Sequence, residues 1–478
     1  MARINSNISA LTAQRNLANA YRSMHDTMQH LSTGLRVSRG KDDPAGLIVS
    51  ERLRSEISAV GQAMSNTQRA KIIVATAEGA LDEVASLLKD IQSKIIEASN
   101  EGAFSEEEIK ANQLQIDSAI DSITRIANTT TFAGRKLLDG SLGYTTSGVS
   151  TDKLRDVTVH ATQFGTRSSV NVAVKVTSAA QQARLRFPFA GLAASNAVTV
   201  EIRGTMGATI LQFTGSTTAA QMANAVATVA DATGVSAYMH ATSGFVMASR
   251  EYGTKEFVSV KVLGSGTFDT RDYDTVATAK ASDYGANANA TINGATAAAD
   301  GNHISIKNSQ IDMEMDVKPA WTSTATFSVT GGGALFQVGP QINSNLQVNL
   351  GIASMGASRL GTASIGYLEQ LKDGGTYSLR AASTARADAL EIVQRSIDQV
   401  SMLRGRLGAF ERNTLDTNLN QLSLTSENLT SAESAIRDAD FALQTSQLAR
   451  DQILVNAGTT VLTLANQAQQ TVLRLLGG

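Results

Sequence analysis

Residues 454–475 read LVNAGTTVLTLANQAQQTVLRL, and their apolar side chains follow the spacing of a helix that packs against other helices. One heptad position, which recurs every seventh residue, is occupied by Leu454, Val461, Ala468 and Leu475. A second heptad position, between the first ones, is occupied by Ala457, Leu464 and Thr471. The pattern also fits an ordinary bundle whose seams face inward. Because the stripe lies at the end of the sequence, where chains usually fray, we favour contacts with other copies of the chain.

The opposite end of the sequence carries a matching pattern. One stripe consists of Ile4, Ile8 and Leu11, and another of Leu17, Tyr21, Met24, Met28, Leu31 and Leu35. This spacing predicts a first helix over about residues 6–35. A terminal helix with one such stripe buries little surface alone, so we expect both ends to be largely disordered in the isolated chain and to order when several copies meet.

Further helices are predicted inward of the two ends. A 3,4 spacing runs without a break through Val74, Ala77, Leu81, Val84, Leu88, Ile91, Ile95 and Ala98. Nearly the same spacing returns at Leu390, Val393, Ile397, Val400, Leu407 and Phe410. Asp43 followed by Pro44 suits the start of a second helix that reaches about residue 100, and Ser105 suits the cap of a third over about 105–128.

The middle of the chain has the character of β structure. Four valines alternate with smaller or polar neighbours from Val170 to Val176, as in a half-buried strand, and two apolar runs around Gly204 predict a hairpin. We expect a variable β-rich insertion over 151–345, either as one body or as two subdomains at about 180–280 and 285–345. The expected fold class is α+β: a long antiparallel helical bundle or coiled-coil core formed by both termini, with an inserted β-rich outer region.

The composition excludes several classes of protein. A formal net charge of −2 over 478 residues gives no reason to expect nucleic acid or an anionic membrane as partner. No stretch approaches 18 apolar residues, so we expect no membrane insertion. The first residues lack a charged segment followed by an apolar one, which predicts no cleaved signal peptide, and the absence of cysteine fits an exported surface protein.

The sequence offers little catalytic chemistry. His25 and His30 are five residues apart on a predicted helix, which does not place both on one face for a metal. Gly331, Gly332 and Gly333 form a turn without the context of a phosphate-binding loop. We therefore predict no catalytic residues, no cofactor, no metal site and no enzymatic activity.

Several motifs resemble those of bacterial flagellins. Toward the N-terminus they are Leu31-Ser32-Thr33-Gly34-Leu35-Arg36, Lys41-Asp42-Asp43-Pro44-Ala45-Gly46 and Thr76-Ala77-Glu78-Gly79-Ala80-Leu81. Toward the C-terminus they are Leu403-Arg404-Gly405-Arg406-Leu407-Gly408-Ala409-Phe410, Ser426-Glu427-Asn428-Leu429 and Ile436-Arg437-Asp438-Ala439-Asp440. The resemblance covers about 240 residues in two blocks, in the same order as in the family.

The resemblance implies a structural subunit that self-assembles into the extracellular helical filament used for swimming. Residues 1–40 with 440–478 would form an inner-tube coiled coil, and 41–150 with 346–439 an outer helical tube; the insertion at 151–345 would project to the surface. We expect inner-tube subunit contacts at Ile4, Ile8, Leu11, Leu31, Leu35, Leu454, Val461, Leu464, Ala468 and Leu475. The implied partners are further copies, the cap and hook-associated junction proteins, and an export chaperone that serves the flagellar channel.

Two other functions remain open from the sequence. A hook–filament junction protein shares the two-ended helical plan, but generally lacks the combined Lys-Asp-Asp-x-Ala-Gly and terminal Leu-Leu signatures. An enzymatic flagellin would carry a hydrolase in its insertion, against which the missing metal motif argues.

The resemblance also bears on the vertebrate Toll-like receptor that senses flagellin. Family members that this receptor binds carry Leu-Gln-Arg-Val-Arg-Glu-Leu on the helix after the Thr-Ala-Glu-Gly-Ala-Leu motif. This chain has Leu88, Lys89, Asp90, Ile91 and, further on, Lys94, so that Asp90 stands where the key arginine would be. We expect weak or absent receptor activation, because an anion replaces a multi-donor cation.

Overall fold

The computed structural model describes residues 7–100, 104–164, 167–241, 244–275, 278–308, 310–381 and 383–476. The α-helices in these ranges are α1 (Ile8–Thr33), α2 (Pro44–Ala98), α3 (Glu106–Thr129), α4 (Ala219–Thr228), α5 (Ala230–Thr233), α6 (Ser383–Phe410), α7 (Thr417–Arg437) and α8 (Phe441–Leu476). A π-helical segment, Glu411–Asp416, connects α6 to α7.

The strands in chain order are β1 (Thr131–Phe132), β2 (Arg135–Lys136), β3 (Tyr144–Ser147), β4 (Leu154–Thr162), β5 (Val170–Ser178), β6 (Arg184–Phe187), β7 (Val198–Arg203), β8 (Ala208–Phe213), β9 (Val235–Met239), β10 (Phe245–Ser249), β11 (Phe257–Leu263) and β12 (Arg271–Asp272). They continue with β13 (Ser282–Tyr284), β14 (Asn289–Ile292), β15 (Ala295–Thr296), β16 (Ala298–Asp300), β17 (His303–Lys307), β18 (Ile311–Val317), β19 (Thr324–Gly332), β20 (Ala334–Gln337), β21 (Gln347–Leu350), β22 (Gly361–Thr362) and β23 (Gly366–Tyr367).

The chain forms two compact units. The terminal unit contains Met1–Arg69, Gln337–Ile342 and Asn413–Gly478, and the central unit contains Ala70–Phe336 and Asn343–Arg412. Within the terminal unit, Val60, Ala63 and Leu422 form a small apolar cluster that joins α2 to α7.

The helices of the central unit bury their predicted stripes. Every residue of the predicted stripe from Val74 to Ala98 is fully buried, as are Ile116, Ile120 and Ile123 of α3. An ion pair between Arg404 of α6 and Asp82 of α2, at 2.9 Å, adds to this packing. The 3,4 spacing therefore predicted the inward faces of these helices, because apolar residues three and four apart share one face.

One β-rich core of the central unit lies between residues 183 and 268. Two antiparallel sheets contribute to it, in the strand orders β12-β6-β10-β9 and β13-β11-β7-β8. The predicted hairpin is β7–β8, which pairs Arg203 with Ala208 across its turn. Phe187, Phe245 and Phe268 stack at its centre, and helix α4 adds Met222 and Val226.

A second β-rich core joins distant parts of the sequence. It combines residues 154–180 with 288–329. Strand β5 lies between β14 and β19, and β4 pairs with β18 at the edge of a neighbouring sheet. This core differs from the expected subdomain at 285–345, because its strands find their partners more than a hundred residues earlier in the chain.

The structure also differs from the expected helical block at 346–439. Residues 347–367 contain the short strands β21, β22 and β23, and helix begins only at Ser383. Gly361 and Gly366, with φ angles of 113° and 136°, have backbone conformations that other residues rarely adopt. A right-handed helix requires negative φ angles, so it cannot pass through these two residues.

A half-buried charged cluster connects strand β18 to helix α6. Glu314 lies 3.2 Å from Arg406 and 3.0 Å from His160 on β4. Burial raises the pKa of Glu314, but the neighbouring His160, Arg406 and His303 outweigh this effect and lower that pKa to about 2. The hydrogen bond between His303 and Asp316, 2.7 Å long, raises the pKa of His303.

Candidate assembly interface

Helix α1 has well-defined ends. The side chain of Asn7 caps its start by accepting a hydrogen bond from the backbone N–H of Ala10 at 2.8 Å. Gly34 ends it in the left-handed conformation, at φ 73°, and donates its N–H to the carbonyl of His30. These signals set the helix at Ile8–Thr33, slightly shorter than the predicted range of 6–35.

Backbone contacts next to these ends hold the two terminal segments together. Leu35 forms a β-bridge with Asp438, and the N–H of Ala439 donates to the carbonyl of Gly34 at 2.9 Å. Asp440 then caps α8 by accepting from the N–H of Ala442 at 2.9 Å. The end of α1 is therefore fixed next to the start of α8, which sets the two helices antiparallel.

Side-chain contacts continue this antiparallel pairing along both helices. The hydroxyl of Ser23 donates to Asp451 at 2.7 Å, and near the other end Asn7 donates to the carbonyl of Ala465 at 3.0 Å. Between these contacts, a Cβ built on Gly458 would lie 3.1 Å from a methyl group of Leu17. The helices approach closely here because position 458 has no side chain.

The ordered pairing differs from the disorder we expected for the isolated chain. Each terminal segment has the other as a partner, whereas we expected one partner helix to offset only part of the cost of ordering the segment. The shared seam is nevertheless thin: the fully buried residues of α1 and α8 whose side chains the structure describes are Ala13, Thr27, Asp451 and Val455.

Most of the predicted contact residues point away from this seam. Leu464 is 66% exposed, Leu11 61%, and Ile8, Leu454, Val461 and Ala468 are also exposed. Leu31 and Leu35 are half-buried. Ile4 lies outside the described residues, and Leu475 is described only as part of helix α8.

The sequence reasoning missed other exposed apolar residues on α8. Phe441, Leu443 and Ile453 are each more than half exposed. The helix-capping residue Asp440 marks the start of α8 in the sequence and could have drawn attention to Phe441 and Leu443, which follow it. Ile453 does not belong to the heptad pattern, although it is adjacent to the heptad position at Leu454. Together with Leu454, Val461 and Leu464 of the predicted stripe, they give α8 six large apolar side chains that are about half or more exposed. Single scattered apolar residues need no explanation, but continuous apolar surface on paired helices indicates an interaction site.

The segment compared with the receptor-binding motif lies on α2. Leu88 and Ile91 are buried in the inward stripe, while Lys89 and Asp90 are exposed. Lys94 forms an ion pair with Glu97 at 2.8 Å. The helix therefore exposes an anion, Asp90, and its Lys94 is paired with Glu97.

The part of the chain described by the structure offers no alternative site of metal chemistry. Among these residues, no three His, Cys, Asp or Glu side chains group in a way that could hold a metal ion. Within the same residues, none of the helices combines the length and apolar character needed to cross a membrane.

Paired terminal helices with apolar outer faces, joined to β-rich cores, define a class of structural subunits that assemble with their own copies. Residues 4–142 match the bacterial flagellin N-terminal helical region, and residues 390–476 match the bacterial flagellin C-terminal helical region. The chain belongs to the bacterial flagellin family.

Relatives of known identity align over almost the whole chain. A flagellin of Clostridium tyrobutyricum is 29% identical over 98% of this chain and 100% of its own length. The B-type flagellin of Pseudomonas aeruginosa is 28% identical over 99% of each chain. These matches establish a structural subunit of the flagellar filament rather than an enzyme, and they favour the filament subunit over the hook-associated alternative.

Solved structures of flagellar proteins give weaker matches. Hook-associated protein-3 of Legionella pneumophila is 13% identical, with a TM-score of 0.27 over 84% of this chain and 99% of its own. A flagellar protein of Burkholderia pseudomallei, FliC, is 16% identical, with a TM-score of 0.24 over 72% and 99% of the two chains. Scores this low carry no weight in assigning the fold or the function.

Proposed function

We propose that this flagellin polymerises through the apolar surface that α1 and α8 leave uncovered. The supporting observation is the exposure of the predicted stripe on α8, at Leu454, Val461 and Leu464, in a helix that already has an intramolecular partner. An antiparallel pair that kept these residues inside would have no reason to attract further copies. The pair instead turns them outward, where a neighbouring subunit can cover them.

The energy available from this surface is substantial when it is summed along a filament. Full burial of a Leu or Ile side chain contributes about 1.5–3 kcal/mol. Because these side chains are about half to two-thirds exposed, about half to two-thirds of that contribution is still available to an intersubunit contact. A subunit in a helical polymer makes each contact twice, once with each face, so modest terms add up to stable assembly.

The arrangement in the filament follows from this proposal. Residues 1–40 with 440–478 form the inner tube, and 41–150 with 346–439 form the outer tube, in which the second segment is helical from Ser383 onward. Residues 151–345 face the surrounding medium. The large buried cores within 154–329 support this placement, because they give the insertion a folded structure that needs no neighbour.

The further partners of the chain are those implied by its family. They are the cap and hook-associated junction proteins at the two ends of the filament, and an export chaperone before secretion. Export proceeds through the flagellar channel. A terminal pair with a thin seam suits this route, since its helices separate at little cost before export.

We propose, in addition, weak or absent activation of the Toll-like receptor that senses flagellin. Asp90 is exposed on the outer face of α2, where receptor-bound relatives carry an arginine. Lys94 is already engaged by Glu97. An anion at a site built for a guanidinium costs several kcal/mol, because the receptor groups that would pair with the cation are left without a partner.

Assembly of purified protein tests the main proposal. The chain alone, seeded with short filament fragments, should form filaments of micrometre length that pellet in the centrifuge and are visible by electron microscopy. A hook-associated junction protein would remain soluble or stop at short oligomers. That result would contradict the proposed homopolymer.

A further inference from the structure

Asp451 occupies an unusual place in the pair of terminal helices. It is the sole acidic residue of α8, and it is 1% exposed on a helix where most side chains are exposed. Its carboxylate accepts a hydrogen bond from the hydroxyl of Ser23 at 2.7 Å. It also lies 3.4 Å from the hydroxyl of Thr27, which donates to the backbone carbonyl of Ser23 at 2.9 Å. In the part of the chain that the structure describes, no cation pairs with it.

A buried carboxylate held only by hydroxyls is a costly way to stabilise a helix pair. Apolar residues of similar size would contribute more to stability, because ionised groups lose their hydration on burial. A polar residue at a helical seam contributes specificity instead: it is satisfied in one alignment of the helices and unsatisfied in the others.

The backbone contacts of Gly34 and Leu35 hold the end of α1 next to the start of α8, and Asn7 contacts Ala465 near the other end; between these points the alignment depends on the side chains of the seam. The seam otherwise consists of small or apolar residues such as Ala13, Val455 and Gly458, which pack acceptably in more than one register. A slip of one helical turn toward the C-terminal end of α1 would place the carboxylate opposite Leu31. A slip of one turn in the opposite direction would lose the contact between the carboxylate and Thr27.

We propose that Asp451 is a register-specifying residue, which with Ser23 and Thr27 fixes the alignment of α8 against α1. This inference deepens the proposed assembly and rests on it for its purpose, since the register decides which apolar residues the pair presents to neighbouring subunits. The hydrogen bond from Ser23 to this carboxylate favours the native register by on the order of 10-fold.

Disulfide trapping measures the register directly, because the chain contains no cysteine. A Cβ at position 458 lies 3.6 Å from that of Leu17, within the range that a disulfide requires. The pair Leu17→Cys with Gly458→Cys therefore reports the native register. Leu17→Cys with Leu462→Cys, or with Leu454→Cys, reports a slip of one turn in either direction. Gel mobility separates intrachain disulfides from interchain ones.

Each cysteine pair is combined with further substitutions. Asp451→Ala should raise the yield of a slipped disulfide relative to the native one by on the order of 10-fold, because the hydroxyls lose their acceptor. Ser23→Ala with Thr27→Val should do the same while leaving the carboxylate in place. Asp451→Asn, which retains an acceptor oxygen, should largely restore the native pattern, and Gln452→Ala at the exposed neighbouring position should not disturb it.

Three results would overturn the proposal. Asp451→Ala could keep the native disulfide alone, Gln452→Ala could cause as much slippage as Asp451→Ala, or both hydroxyl-removing and carboxylate-removing variants could lose every disulfide. The last result would assign Asp451 to pairing itself rather than to register. The same trapping is carried out on monomer and on assembled filaments, so that a failure of polymerisation is distinguished from a failure of register.

Discussion

Replacing Leu464 with Asp should prevent polymerisation while leaving both β-rich cores folded. Leu464 is 66% exposed in the single chain, so its substitution removes little intramolecular packing. Full burial of a leucine is worth about 1.5–3 kcal/mol, which leaves about 1–2 kcal/mol per subunit to be gained from a neighbour. The aspartate forfeits this gain and adds a desolvation cost of several kcal/mol.

The combined loss can be expressed as a concentration. A change of about 4 kcal/mol per subunit raises the critical concentration for polymerisation by about 1,000-fold. Sedimentation of seeded protein over a concentration series measures this value, and electron microscopy checks the pellet. Far-ultraviolet circular dichroism and the thermal unfolding midpoint should match those of the original chain.

A matched variant separates charge from position. Asn466→Asp introduces the same charge two residues away, on a different face of α8, and changes the side-chain volume very little. It should polymerise at close to the original critical concentration. Normal filaments from Leu464→Asp, or an equal block by Asn466→Asp, would refute the assignment of this stripe to the subunit interface.

Four further predictions concern other parts of the molecule. Residues 1–40 and 440–478 should be cleaved by a low dose of protease in the monomer and protected in the filament, because the thin seam opens readily; equal cleavage in both states would refute this. The free energy of unfolding of the central unit should fall by up to about 3 kcal/mol as the pH drops from 5 toward 2, because the pKa of Glu314, about 2, lies below its ordinary value of 4.5. In urea titrations, the Glu314→Gln variant should show a smaller decrease over this pH range. The pKa of His303 is raised in the folded chain, so its contribution to the free energy of unfolding is complete below pH 6.5 and is lost as the pH rises through the folded pKa. The His303→Gln variant should not show this pH dependence. Purified monomer should activate receptor-expressing reporter cells weakly or not at all, and a potent response at sub-nanomolar dose would contradict the expected effect of Asp90.

The sequence predicted the buried faces of the long helices because spacing alone defines a helical face. The stripe from Val74 to Ala98 is buried throughout, as its unbroken 3,4 repeat required. The stripe on α8 also has the expected helical form, and its exposure agrees with contacts beyond the single chain. Predicting the buried face of α2 and the helical form of α8 did not require knowledge of the partner helix.

The seam between α1 and α8 could not be predicted in the same way. It is formed by Asp451, Val455, Gly458 and Ala465, so that only one large apolar residue marks it in the sequence. Polar and small residues give no hydrophobic periodicity. Their role depends on donors such as Ser23, more than four hundred residues away, which no local pattern reveals.

The β-rich region shows the same limit. The alternation from Val170 to Val176 predicted strand β5, but its neighbours β14 and β19 begin more than a hundred residues later. Local alternation fixes which face of a strand is buried and leaves the order of strands open. The cluster around Glu314 was missed for a related reason, since its members come from β4, β17, β18 and α6 and share no motif.

A filament reconstruction at side-chain resolution tests the central claim most directly. The account predicts that Leu454, Val461 and Leu464 of each subunit lie against α1 or α8 of neighbouring subunits, and that each loses most of its present exposure. It also predicts that Asp451 still contacts Ser23 of its own chain. A filament in which these three apolar side chains face the lumen or solvent, with the subunits joined elsewhere, would contradict the account.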